Sequence, residues 1–491
     1  MPNSPHRIRQ LRWQVSTVSA ADAFAIRQTL ATQWQDLILP ALNQVFDEAA
    51  PDDVVIRMAK LELHLTVGAE QDWRARLPDL IRQQLQDQLQ PLQQGWQQKQ
   101  GLESGGRDLP PLEWDHTTLQ RHQVDLLLHY LRTGSVPWQA THATPPEIAE
   151  MLRQTCQQQW QPLMDYLRHT SESAAFYFRL LQLLPKTEGL SLVNALLEPL
   201  PLAWGNAVLQ VIAGVLAPEQ LLFNAYQQRQ LAATFLAESL RYQETHRPPN
   251  GMRILEMVLG SAATQITQTF IAALPESSAL LIYPYSQPQN HAHSPTLSAP
   301  SEDLVPPDWS ISSSSPFSSP SFPLSVRYAG LVLLHPFISH FFAAVGVNVT
   351  GEKALAAEVI PRAAALLHFL ATGTEEIYEY ELDLIKVLLG LAPDAPLLVA
   401  EGLIQSGDRE EASAMLQSVI RYWRALKNTS IAGLRSSFLQ RPGLLRQAEE
   451  GWRLHVEPQA FDLLLNYLPW AISIVKLPWM PQPIHTEWLT P

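Results

Sequence analysis

The chain has 491 residues and a formal net charge of -13, and a chain this long exceeds what one hydrophobic core supports, so two or three domains are expected. No run of Lys or Arg offers a footprint for phosphate, which argues against nucleic acid as a partner. Cys156 is the single cysteine, which excludes an intramolecular disulfide, and the opening MPNSPHRIRQLRWQV lacks the apolar core of a signal peptide, so cytoplasmic synthesis is expected and the sequons at Asn348 and Asn428 carry no weight.

Residues 1–100 read as a small α+β domain with the order strand, helix, strand, helix. IRQLRWQVS alternates, with Leu11, Trp13 and Val15 on one face. Ser19 and Asp22 form a helix-start signal, and Pro40 is the expected kink in the helix that follows. AKLELHLTV, 59–67, predicts a half-buried strand with Leu61, Leu63, Leu65 and Val67 inward. The apolar stripe Trp73, Leu77, Leu80, Ile81, Leu85, Leu89, Leu92 and Trp96 then predicts a long helix whose other face is largely glutamine. It covers the sheet or pairs with another helix.

Residues 101–283 read as a helical middle. Thr144 to Glu147, TPPE, is a second capping signal, followed by Ile148, Leu152, Cys156, Trp160, Leu163 and Leu167 on one face. Cys156 therefore reads as a small core hydrophobe rather than a nucleophile. The uncharged stretch 199–218 has the length of a membrane span but two early prolines, Asn206, Gln210 and no basic flank, which predicts a buried helix and no stable membrane insertion. Residues 284–325 are dominated by Ser and Pro and read as a disordered linker.

Residues 326–491 read as a mostly helical domain, with helices near 329–345, 354–371, 376–390 and 408–427. A hairpin turning at Glu450 and Gly451 places Trp452, Leu454 and Val456 on one face, and a helix, a short strand in ISIVKL and a Pro-Trp tail complete the domain. The fold class is thus mainly α, with small α+β domains at both ends. One echo joins the halves: LLHYLRTG (127–134) and LLHFLATG (366–373) read as a duplicated helix end stopped by glycine, with His129 and His368 placed to cap the last carbonyls.

Chemistry is scarce. The common metal, phosphate-binding and acyl-transfer motifs are missing, and no catalytic residue, metal ligand or cofactor site is predicted. Glu375, Glu379 and Asp383 could form an acid/base pair but read as a solvated helical face. His291 and His293 lie in the Ser/Pro stretch, without a rigid scaffold for a metal. The profile is that of a binding or assembly component rather than an enzyme.

Eight phrases, in order along the chain, resemble one family. AGLVLLHPFI (329–338), LLHFLATG with YEYELDLIKVLLGL (366–391), RYWRALKNTSIAGLRSSFLQRPG (421–443), GWRLHVE (451–457) and LPWAISIVKLPWMP (468–481) are similar to the C-terminal region of contractile injection system tape measure proteins; IRQLRWQV, LPALNQVFDEAAPDDVVIRMAKLELHLTVG and LLLHYLRTGSVPW resemble that family's opening region.

The resemblance implies a structural assembly factor of a phage-tail-like machine. Such a protein lies in the inner tube, engages the spike or baseplate and sets tube and sheath length. It implies as partners the inner tube protein, the spike and baseplate proteins and a tube cap, with self-association through helices as a further expectation. Its place is the cytoplasm during assembly, then the particle. A baseplate or cap adaptor that nucleates the tube without measuring it, and a delivered cargo, stand as alternatives. The candidate partner interface is the tail: Leu468, Pro469, Trp470, Leu477, Pro478, Trp479, Met480 and Trp488.

Overall fold

A computed structural model describes residues 6, 8, 14–17, 19–49, 54–58, 61–67, 72–99, 114–137, 144–184, 186–217, 222–241, 250–259, 264–274, 323–347, 355–356, 359–397 and 402–488. They divide into two compact units, Met1–Val124 and Asp125–Pro491.

In the first unit, the Ser19 hydroxyl accepts a hydrogen bond from the Asp22 amide and starts α1 (Ala20–Leu37). The helix breaks at Ile38 and resumes as α2 (Leu39–Ala49), so that Pro40 falls in a first turn, where its missing N–H costs nothing. Helix α3 (Trp73–Lys99) buries Leu77, Ile81, Leu85 and Leu89 in one cluster with Leu42 and Val45 of α2. Strand β1 (Val54–Met58) pairs antiparallel with β2 (Trp114–Thr118), and Ile56 and Met58 close the same core.

The two strands expected from alternation are not where the ladder forms. Of 59–67, the described residues 61–67 lie outside any sheet, although Leu61, Leu63 and Leu65 alternate toward the core as expected. Glutamines of α3 take the place of a neighbouring strand: Gln84 Oε1 accepts from the His64 amide (3.0 Å) and Gln88 Nε2 donates to the Glu62 carbonyl (2.8 Å). These glutamines stand one helical turn apart on one face. Likewise Ile8 and 14–16 are in no strand, and the rest of the first expected strand lies outside the described residues.

The second unit begins with helices. They are α4 (Leu119–Thr133, which starts in the first unit), α5 (Pro145–Gln158), α6 (Trp160–His169), α7 (Ala174–Leu183), α8 (Lys186–Leu197), α9 (Leu202–Leu216), α10 (Ala225–Leu240), α11 (Gly251–Leu259) and α12 (Thr264–Ala273). Thr144 caps α5 with Glu147, whose carboxylate accepts from the Thr144 amide (2.8 Å). Cys156 is buried on its inner face, where burial pushes the thiol up to about 11, the mark of an inert core cysteine.

Helix α10 packs against α7, α9 and α11, and the run from Leu231 to Ala237 is buried on all sides, as a central helix must be. Residues 199–218 supply α9, whose Ala207, Val208, Val211, Ile212 and Val215 are core. Among the described residues no helix is long and apolar enough to cross a membrane.

The Ser/Pro stretch lies outside the described residues except 323–325, which lead into β3 (Leu324–Val326). A 3-10 turn (Ala329–Leu334) continues into α13 (His335–Ala344), followed by α14 (Ile360–Thr372), a 3-10 turn (Glu379–Glu381), α15 (Asp383–Leu388), α16 (Ser406–Tyr422), a 3-10 turn (Arg424–Leu426), α17 (Ile431–Leu434) and a π-helical turn (Arg435–Leu439). The hairpin is present as β4 (Gly443–Ala448) and β5 (Gly451–Val456), turning at Glu449 and Glu450. A 3-10 helix (Ala460–Tyr467), β6 (Ile474–Val475) and β7 (Ile484–Glu487) end the chain.

The sheet order is β3-β4-β5-β7-β6, with β7 parallel to β5. Both β3 and β7 are additions to the sequence expectation. The fold is mainly α, with a small mixed sheet near the C-terminus.

Candidate functional site

The tail divides by burial. Leu477, Trp479, Met480 and Trp488 are core residues, Leu468 and Trp470 are half-buried, and Pro469 and Pro478 are exposed. A buried indole needs an acceptor, and each of the three finds one in a different element. Trp470 Nε1 donates to the Leu333 carbonyl (3.0 Å), Trp479 Nε1 to the Leu388 carbonyl (2.8 Å) and Trp488 Nε1 to Asp462 Oδ2 (3.1 Å). The Trp479 ring also stacks on Phe342, 5.4 Å between centroids. The three tryptophans are docking points that bind the end of the chain to its own domain.

Asp462 is the polar hub of that closure. It takes a forked pair from Arg441 (2.6 and 3.1 Å) and the Gln459 amide (2.8 Å) besides the Trp488 indole. Against the upward push of burial, these donors hold its carboxyl below the usual range.

A second cluster overturns the solvated acidic face. Glu375 is exposed and pairs with Arg409, but Glu379 and Asp383 are buried and stand on two different elements, the 3-10 turn and α15. Glu379 Oε1 accepts from Arg179 Nε (3.0 Å), Lys386 Nζ (2.8 Å) and the Leu397 amide (3.3 Å). Arg179 also donates to the Asp394 carbonyl (2.6 Å), and Lys386 to that of Pro393 (3.0 Å). Tyr380 donates to the Pro145 carbonyl, and Tyr226 to that of Pro396 (3.4 Å). Burial pushes Asp383 up to about 7, with Lys386 pulling the other way.

These contacts form a polar clasp between helices α5, α7 and α10 and the segment 379–397. Sequence reasoning did not single out Arg179 or Lys386. The available signal was a lone cation in an apolar run, AAFYFRLLQL and DLIKVLL, since an unpaired buried charge is prohibitively costly.

The echoed helix ends are the same device built twice. Thr133 Oγ1 donates to the His129 carbonyl (2.8 Å) and accepts from the Ser135 amide (3.2 Å); Thr372 Oγ1 donates to the His368 carbonyl (2.9 Å) and accepts from the Thr374 amide (3.1 Å). An arginine from a later helix then seats against each end. Arg179 donates to the Leu131 and Arg132 carbonyls (3.1 and 3.0 Å), and Arg435 to those of Leu370 and Phe369 (3.0 and 3.1 Å).

Gly134 and Gly373 have φ of +73° and +80°, and a Cβ on either would lie 2.7 Å or closer to the seated guanidinium. Glycine therefore serves both the left-handed turn and the arginine seat. Burial lowers both histidines to about 4, so they are neutral, and Thr and Arg meet carbonyls at each helix end.

His291, His293 and Asn348 lie outside the described residues. Among the described residues no group of three or more His, Cys, Asp or Glu is placed to hold a metal. A family model described as "Contractile injection system tape measure protein" matches residues 5–488. No curated protein and no solved structure matches the chain.

Proposed function

The chain belongs to the contractile injection system tape measure protein family, and on that premise we propose that it is the assembly factor that sets the length of the inner tube and its sheath. In this reading it is made and assembled in the cytoplasm and ends inside the particle. It engages the spike or baseplate, and its partners are the inner tube protein and the spike or baseplate proteins. The observation that carries the reading is the extent of the family match, which spans both structured units rather than one module. The closed C-terminal region supports it, because a terminus pinned at three tryptophans is a rigid body suited to docking.

The clasp favours one second reading. A compact unit of a few hundred residues has a radius of gyration of about 20 Å, whereas 491 residues in one helix would reach roughly 740 Å at about 1.5 Å per residue. A protein that stays folded this way would be a baseplate or cap adaptor that starts the tube without measuring it. Deleting the gene and imaging what remains tests the shared core of both readings. Loss of particles, or particles of uncontrolled length, is expected, with the chain co-purifying with tube or spike proteins from the parent strain. Normal particles of normal length without it would point to a delivered cargo.

A further inference from the structure

From Ala412 to Ala448 the chain has six basic residues and no acidic one, although acidic residues outnumber basic ones in the whole chain by 47 to 34. Arg435 and Arg441 are occupied inside the fold. Arg421, Arg424 and Lys427 are exposed, and none of the three forms an ion pair among the described residues. They lie on the last turn of α16, the 3-10 turn after it and the loop that follows. Lys427 has φ +51° and ψ -111°, the only non-glycine residue with positive φ among the described residues. A lysine at a loop tip in so unfavourable a conformation marks local strain of the kind concentrated at functional surfaces.

Beside these cations stands an uncovered apolar crest. Tyr422 is 64% exposed, and Leu463 and Tyr467 on the 3-10 helix 460–467 are each 71% exposed. The elements that carry the two parts adjoin: Trp423 Nε1 donates to the Leu464 carbonyl (3.0 Å), and Phe337 lies against both the Tyr422 ring (6.1 Å between centroids) and the Trp470 ring (5.1 Å). Half-buried Leu468 and Trp470, with exposed Pro469, border it. Large exposed aromatics and aliphatics beside unpaired cations are what an interface core and rim look like before the partner is present.

We propose that this surface docks an acidic, apolar-faced segment of a protein partner within the particle. Tyr422, Leu463, Tyr467 and Trp470 would bury against its apolar side, and Arg421, Arg424 and Lys427 would pair with its carboxylates. The proposal rests on the assembly-factor reading. It narrows the tail interface to Leu468, Pro469 and Trp470, the stretch of the tail that borders this crest and is only half-buried or exposed. Three cations set in an apolar crest are a poor match for a nucleic acid backbone, which needs a track of phosphate contacts.

The test uses the full chain produced together with the other components of its particle. Two variants are compared with the parent: R421E/R424E/K427E, and Tyr422→Ala with Leu463→Ala and Tyr467→Ala. All six positions are exposed, so melting temperatures within about 2 °C of the parent are expected. Retention of the chain in purified particles should fall at least tenfold in each variant. A carbodiimide cross-link, which joins an amine to a carboxylate, should couple position 427 to an acidic peptide of one partner in the parent.

Lys427→Arg should lose that cross-link and keep retention, because the charge remains. Parent-like retention in both variants, a cross-link to no partner, or retention that depends on added DNA would each overturn the proposal. Absence of the parent chain from particles would instead defeat the assembly-factor reading itself.

Discussion

Single residues in this protein are fixed by what sits against them, and Gly373 is the clearest case. Its left-handed backbone alone costs an L-residue about 1–2 kcal/mol, and a methyl would also displace the Arg435 guanidinium at 2.5 Å. Gly346 has φ +73° with nothing within 4 Å of an added Cβ, so it isolates the backbone part. Denaturant unfolding should show Gly373→Ala losing about 2–4 kcal/mol and Gly346→Ala about 1 kcal/mol.

Asp383 offers a pH-dependent counterpart. Its folded value near 7 lies above the ordinary range near 4, so its contribution to stability is complete below about 4 and is lost as pH rises to 7. Asp383→Asn should therefore melt higher than the parent at pH 8 and much closer to it at pH 4.5. His368 acts in the opposite sense. With its value lowered to about 4 from 6.5, its stabilising contribution is present above 6.5 and lost as pH falls toward 4.

At the scale of elements, periodicity was the reliable guide and pairing was not. The stripes of α3 and α5, the Ser19 and Thr144 caps and the 443–456 hairpin are all legible because each depends on neighbours within a few residues. The alternation of 61–67 was also real, but alternation reports only which side faces the core. It could not show that glutamine side chains, rather than a strand, would satisfy that backbone. The pairing in the clasp was illegible for a related reason: Arg179 and Glu379 are 200 residues apart, and a lone cation in an apolar run does not say which distant carboxylate it meets.

The clasp also has a definite energetic signature. Removing one partner of a buried pair leaves the other charge stranded, which costs about 3–5 kcal/mol, while replacing all partners by apolar groups is far milder. Arg179→Met alone should lose stability on that scale in denaturant unfolding. Arg179→Met combined with Glu379→Leu and Lys386→Met should recover much of the loss. A triple variant weaker than the single one would mean that the cluster is held by its carbonyl contacts rather than by charge pairing.

For the molecule as a whole, the resemblance of both chain ends carried more of the function than any local chemistry did, and the family match over 5–488 agrees with it. The geometry adds a condition on length setting. The helical part of the second unit and its C-terminal region are clasped across the Ser/Pro stretch by buried bonds, so a chain extended along a tube must first open Arg179 from Glu379 and Tyr380 from Pro145. The most direct measurement of the central claim is particle length by electron microscopy, in strains whose copy of this chain carries in-frame duplications or deletions of whole helices within 150–280. Length setting predicts a shift in proportion to the residues gained or lost, about 1.5 Å for each helical residue. Normal numbers of particles at unchanged length would contradict it and leave the folded adaptor as the account of this protein.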